Sequence, residues 1–193
     1  RALRSAGGGA SSRAHELCPP ADAPDRIRPS MTPPVSILMA VKDGRFLAAA
    51  LDTLYAQHFS DFELVLVDDG ADADTRMLMD RARAEDGRVR VLTNDGPPGL
   101  PAALNRGLAA CRGALVARAD GDDLYAPERL GRQVDEMARR PALGALSCGY
   151  HRIDGAGQRL WTRRPVTGPE AVRFRAMFVN PLLHPGVIFR AEA

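Results

Sequence analysis

Residues 114–123 read ALVARADGDD, a short apolar run from Ala114 to Ala117 that passes into Asp120, Asp122 and Asp123. Carboxylates this close repel one another, and shielding them from water raises the cost. A turn needs a single Asp or Asn. The same arrangement stands twice upstream. Val35 to Val41, interrupted only by Ser36, runs into Lys42-Asp43-Gly44, and Phe62 to Val67 runs into Asp68-Asp69-Gly70. Near-continuous apolar runs of this length read as strands buried on both faces.

Stretches with helical spacing separate these strands. Arg45 to Gln57 places Phe46, Leu47, Ala50, Leu51, Leu54 and Tyr55 on one side. Thr75 to Glu85, Leu100 to Cys111 and Pro127 to Arg139 continue the pattern, with Pro101 tolerated in a first turn. Val89 to Leu92 reads as a third strand, Asn94 to Gly99 as a loop, and Leu115 to Ala119 as the fourth strand. Leu143 to Ile153 and Arg159 to Thr162 read as strands joined by Asp154-Gly-Ala-Gly157, and Glu170 to Phe178 as a short helix. Strands alternating with helices predict an α/β fold with a mostly parallel central sheet flanked by helices. Ligands in such sheets gather at the carboxyl ends of the strands, so the acidic strand ends converge on one edge.

Composition narrows the function. The 193 residues suit one domain, or one domain plus a tail, and 45% hydrophobic with 26% charged residues fits a soluble globular class. A net charge of +2 gives no support for a nucleic-acid partner. The sparse cysteines, Cys18, Cys111 and Cys148, fit a reducing cytoplasm better than a disulfide framework, and the expected location is cytoplasmic, with the inner face of the membrane left open. No apolar run reaches the roughly 18 residues of a membrane span, which leaves peripheral association open. Residues 1–30, rich in Gly, Ser, Pro and Arg, are expected to be a disordered or non-native extension ahead of a natural start at Met31. Residues 31–193 are the expected domain, incomplete at the C-terminus because Phe189 to Ala193 follows an apolar run with no closing element.

Convergent carboxylates raise one another's pKa unless a cation joins them, and hard divalent ions bridge carboxylate and phosphate oxygens. Asp72 and Asp74 precede a helix and read as caps. There is no P-loop, no G-x-G-x-x-G after a strand and no G-x-S-x-G elbow, and His15, His58, His151 and His184 do not pair at metal spacing.

Four pieces in order, Val35 to Val41, Phe59 to Gly70, Ala102 to Gly107, and Ala117 to Asp123 with Pro127-Glu-Arg-Leu130, resemble family 2 of the glycosyltransferases from about Val35 to Arg190. The resemblance implies a GT-A, Rossmann-like fold. It also implies transfer of a sugar, with inversion, from a nucleotide-diphosphate donor to a glycan or lipid-linked acceptor, as in surface polysaccharide synthesis. By that resemblance Ala40, Lys42 and Asp43 border the nucleobase, Asp69 binds it, and Asn105 lies near the donor. Asp120-Gly-Asp122 matches the DXD motif, with Asp122 on Mn²⁺ or Mg²⁺ and Asp120 at the ribose or metal. Asp123 is left over, as a cap for the helix starting near Pro127. Arg118 either approaches the nucleotide or faces solvent. His184, in His184-Pro-Gly-Val-Ile-Phe-Arg190, matches a stretch beside the acceptor site.

The sequence departs from the family pattern where Lys42-Asp43 replace Tyr-Asn, which removes a stacking ring, and where Ala71 replaces Ser or Thr. The family's catalytic Asp lies further along than His184, so the base is expected beyond Ala193. The alternatives are a nucleotide-sugar-binding module without catalysis, a sugar-phosphate nucleotidyltransferase, to which Lys42-Asp-Gly-Arg45 is a poor match, and a signalling receiver module, which leaves Asp120-Gly-Asp-Asp123 unexplained.

Overall fold

The computed structural model describes residues 33–192. The readings of residues 1–30 and of Met31 fall outside that range. A six-stranded sheet runs in the order β3-β2-β1-β4-β8-β5. Its parallel part is β1 (Val35–Val41), β2 (Phe62–Asp68), β3 (Val89–Thr93) and β4 (Leu115–Arg118). β8 (Val187–Arg190) lies antiparallel between β4 and β5 (Ala145–Ser147). The helices are α1 (Leu47–Tyr55), α2 (Ala73–Glu85), α3 (Leu100–Leu108), α4 (Arg129–Arg139) and α5 (Pro169–Ala176).

Alternation along the strands explains the two layers. Val35, Ile37, Met39 and Val41 of β1, with Leu64 and Leu66 of β2, share a core with Leu47 and Leu54 of α1, Met79 of α2, and Leu130 and Met137 of α4. Leu38, Val65, Val67 and Val116 point to the other face and pack with Ala103 of α3. Successive strand residues face opposite ways, so a strand covered on both sides is apolar throughout. Each fully buried Leu or Ile contributes roughly 1.5–3 kcal/mol. α3 approaches closely because Gly107 has no side chain; a Cβ there would collide with Leu38 and Val67.

The expected boundaries needed revision in several places. The single strand expected over Leu143 to Ile153 divides into β5 and β6 (Tyr150–Ile153), which belong to different sheets. Among the described residues β6 pairs only with β7 (Arg159–Arg163). The break falls at Gly149, where a Cβ would lie 2.8 Å from the Arg163 carbonyl oxygen. α4 begins at Arg129, and its N-cap residue is Glu128, so Asp123 does not cap it. Asp72 does cap α2, accepting from the Thr75 amide at 2.8 Å. Phe46, expected on the buried side of α1, precedes the helix and is 50% exposed.

Candidate active site

Carbon-terminal strand ends build the site, as parallel sheets direct. β1 ends in Ala40 and Val41, and the chain turns through Lys42, Asp43 and Gly44 into α1. β4 ends at Arg118, and the chain passes through Ala119 to Asp120, Gly121 and Asp122. Together these segments line an open cleft of about 290 Å³, joined by Arg45 and Phe46. Ala40, Lys42, Asp43, Asp120 and Asp122, singled out in sequence, therefore share one cleft. Asp43 is partly occupied by its own loop, accepting from the Arg45 amide at 2.9 Å.

Loop geometry after β4 is set by Tyr125. Its hydroxyl accepts from the Asp120 amide at 2.6 Å and donates to the Asp120 carbonyl at 2.9 Å. The ring is buried, with the Arg129 guanidinium 4.8 Å from its centroid. Within this closed loop Asp120, Asp122 and Asp123 each offer a carboxylate oxygen, all within 4.8 Å of one another. Burial, reinforced by Asp120 and Asp122, pushes the Asp123 carboxyl up to about 6. An all-oxygen donor set gathered at this spacing fits a hard divalent ion.

Arg118 neither faces solvent nor lines the cleft. It is 3% exposed, beneath the loop, and one of its terminal nitrogens pairs with Asp120. Its Nε and Nη1 meet no hydrogen-bond partner among the described residues. Arg129 donates to the Arg118 carbonyl at 2.9 Å. Of the three loop carboxylates only Asp120 meets a charged partner among the described residues.

The two carboxylates ending β2 differ sharply. Asp68 is consumed locally, accepting from the amides of Gly70 and Ala71 at 3.0 and 2.7 Å and from Arg76 Nε at 2.8 Å. Asp69 accepts from Asn94 Nδ2 at 2.8 Å and from the Gly99 amide at 3.0 Å. The Gly99 amide first, then Asn94, holds Asp69 below the usual carboxylate range. Asp69 thereby pins the β3–α3 loop, whose Gly99 adopts φ +123°. It is not among the residues lining the cleft, and neither is Asn105, which is exposed on α3. His184 is exposed on a short 3₁₀ turn, in a separate cleft of about 180 Å³ with Cys148, Tyr150, Arg163, Arg164 and Asn180.

Sequence reasoning missed Asn94, Phe46 and Tyr125. Asn94 sat in a stretch whose Gly and Pro already signalled a loop. Phe46 fell in register with a helix it does not join. The signal for Tyr125 was an aromatic two residues past an acidic cluster, which needs an internal anchor.

Comparison with known proteins agrees with this geometry. The family model "Glycosyl transferase family 2" matches residues 36–190. The amylovoran biosynthesis glycosyltransferase AmsE of Erwinia amylovora is 30% identical over 76% of this chain and 54% of its own. The O-antigen biosynthesis glycosyltransferase WbnJ of Escherichia coli is 26% identical over 82% of this chain and 62% of its own. The chain thus spans little more than half the length of these relatives. Among solved structures, the mannosyltransferase PcManGT of Pyrobaculum calidifontis, in complex with GDP-Man and Mn²⁺, superposes with a TM-score of 0.61. It shares 21% identity, and the match covers 85% of this chain and 46% of that one. TarS 1–349 of S. aureus with UDP-GlcNAc gives a TM-score of 0.62 at 23% identity, over 81% of this chain and 45% of that one. These neighbours have the GT-A fold, which is the fold of this chain. With its parallel sheet, its acidic cleft and the match over residues 36–190, the chain belongs to glycosyl transferase family 2.

Proposed function

We propose that the β1–β4 cleft binds the donor of an inverting glycosyltransferase, a nucleotide-diphosphate sugar held with Mn²⁺ or Mg²⁺. The observation that carries this reading is the set of Asp120, Asp122 and Asp123 oxygens within 4.8 Å of one another, with Asp120 and Asp122 lining the cleft. Asp122, exposed and unpaired among the described residues, is the principal metal ligand, and Asp120 assists it or meets the ribose. When bound, the ion neutralises the diphosphate leaving group as negative charge develops. Arg118 holds Asp120 from beneath. Ala40, Lys42 and Asp43 border the base, and Phe46 offers the cleft an aromatic face that Lys42 does not. Asp69 and Asn105 act at the nucleotide edge, Asp69 through the loop it pins. PcManGT with GDP-Man and Mn²⁺, and TarS with UDP-GlcNAc, support the substrate class.

His184 sits on the acceptor side, which takes a glycan or lipid-linked acceptor in polysaccharide synthesis on the cytoplasmic side. AmsE and WbnJ, named for amylovoran and O-antigen biosynthesis, support that setting. We assign the catalytic base to no residue of this chain. Calorimetry with UDP, GDP and TDP, each with Mn²⁺ and then with EDTA, tests the reading. Binding of at least one diphosphate that disappears with EDTA is expected; a folded chain that binds none of them overturns it. Because the chain spans little more than half of its relatives, a binding module without catalysis is the second reading. Binding with no donor hydrolysis would select it.

A further inference from the structure

One part of the molecule is built unlike the rest. Residues 150–179 carry six arginines (Arg152, Arg159, Arg163, Arg164, Arg173 and Arg175) against Asp154 and Glu170. That is a net +4 in a chain whose total is +2. All six arginines are exposed, and none takes part in an ion pair among the described residues. Elsewhere most arginines pair, including Arg76 with Asp68, Arg88 with Asp86 and Arg90 with Glu63. Asp154 pairs with none of the six; its carboxylate accepts from the Ala156 and Gln158 amides of its own turn.

Exposed apolar side chains sit among these charges. Leu160 and Trp161 on β7 are 59% and 44% exposed, and Phe174, Met177 and Phe178 are 64%, 68% and 72% exposed. α5 buries none of its residues. Phe174, Met177 and Phe178 recur at helical spacing, and the two Phe rings stack edge to face at 5.4 Å. Large exposed apolar groups rimmed by charge mark a docking surface. A protein partner would answer the arginines with carboxylates at fixed places; a membrane answers them with a field. Interleaved aromatics and arginines, on a short helix that buries none of its residues and a hairpin outside the central sheet, suit the headgroup boundary of an anionic bilayer.

We infer that residues 150–179, the β6–β7 hairpin with α5, dock on an anionic lipid surface. The cleft that holds His184 is lined by Tyr150, Arg163 and Arg164 of the same segment, so docking brings that cleft to the bilayer. Vesicle binding needs neither nucleotide nor metal, so it stands or falls separately from the donor reading.

The test is co-sedimentation of the 193-residue chain with vesicles of phosphatidylcholine alone and of phosphatidylcholine with phosphatidylglycerol at 3:1. Binding to the anionic vesicles, release by 0.5 M salt and no binding to the neutral ones are expected. Arg173→Glu with Arg175→Glu should lower partitioning by about thirtyfold or more. Phe174→Ser with Phe178→Ser should lower it by about tenfold or more. Melting temperatures should not change, because these side chains are exposed; if a pair melts early, Arg152→Glu with Arg159→Glu on the hairpin takes its place. No binding to anionic vesicles, equal binding to both vesicle types, or variants that bind like the unaltered chain would each overturn the inference. So would a concentration-dependent dimer, seen by sedimentation velocity and lost in the Phe pair, in place of vesicle binding.

Discussion

The two ends of the central sheet handle buried acid in opposite ways. At the amino end of β2, Glu63 is enclosed and fully answered. One oxygen accepts from Ser36 Oγ at 2.6 Å and from the Arg112 amide at 2.7 Å, and the other from Arg90 Nη1 at 2.9 Å. At the carboxyl end of β4, three carboxylates crowd together with one direct partner, Arg118 on Asp120. Burial alone would raise Glu63, but the bonds from Ser36, Arg90 and Arg112 outweigh it and hold the carboxyl below its usual range. Burial, then Asp120 and Asp122, moves Asp123 the other way, to about 6. Acid that a fold needs is neutralised from within. Acid left short of partners costs stability, and at the β4 end that cost is what the proposed cation site would relieve.

That contrast can be broken by mutation, and the largest effect on stability is expected at the closed end. Glu63→Ala removes the carboxylate partner of Arg90, leaving it the Ala110 carbonyl, and the nearer of two acceptors of the Arg112 amide, leaving it Ser36 Oγ, and should cost about 2–3 kcal/mol by urea unfolding at pH 7. The sign with pH is fixed by the lowered value. The Glu63 contribution is present above the unfolded carboxyl range and lost as pH falls through its folded value, so the penalty should shrink in acid. An unchanged penalty at pH 3 would mean that packing, not charge, sets it.

At the open end the sign reverses. Asp123 binds its proton more tightly folded than unfolded, so it destabilises the ion-free chain above about pH 6 and ceases to do so below about pH 4. Asp123→Asn should therefore stabilise the ion-free chain by about 1–2 kcal/mol at pH 7.5. That gain should vanish near pH 3.5. Loss of stability at pH 7.5 would show that the carboxylate is satisfied after all. The smallest effect is expected at Asn94, which ties Asp69 to the β3–α3 loop. Asn94→Ala should cost about 1 kcal/mol and speed amide exchange at Gly99, read by hydrogen exchange.

Strand ends were the legible part of this molecule. Apolar runs that stop at Asp43, Asp68 and Asp120 give the parallel order and the acidic edge, because burial on both faces leaves a continuous apolar signature. Partner assignments within the edge were not legible. Nothing in Asp68-Asp69 says that the first closes its own turn on Gly70 and Ala71 while the second reaches Asn94 and Gly99. The place of β8 between β4 and β5 was hidden too, since long-range antiparallel pairing leaves no local spacing to read. Arg118 left two readings open, toward the nucleotide or toward solvent, and only its burial, its bond to Asp120 and the Arg129 bond to its carbonyl show where it goes.

Everything proposed for the donor cleft depends on the acidic loop after β4 being an open cation and diphosphate site in which Asp122 dominates. Titrating the preferred nucleoside diphosphate in the presence of Mn²⁺ into the unaltered chain, Asp122→Asn and Asp123→Asn tests it most directly. Asp122→Asn is expected to abolish the metal-dependent heat at unchanged melting temperature, and Asp123→Asn to weaken binding less. Equal losses in the two variants, or full binding by Asp122→Asn, would contradict it.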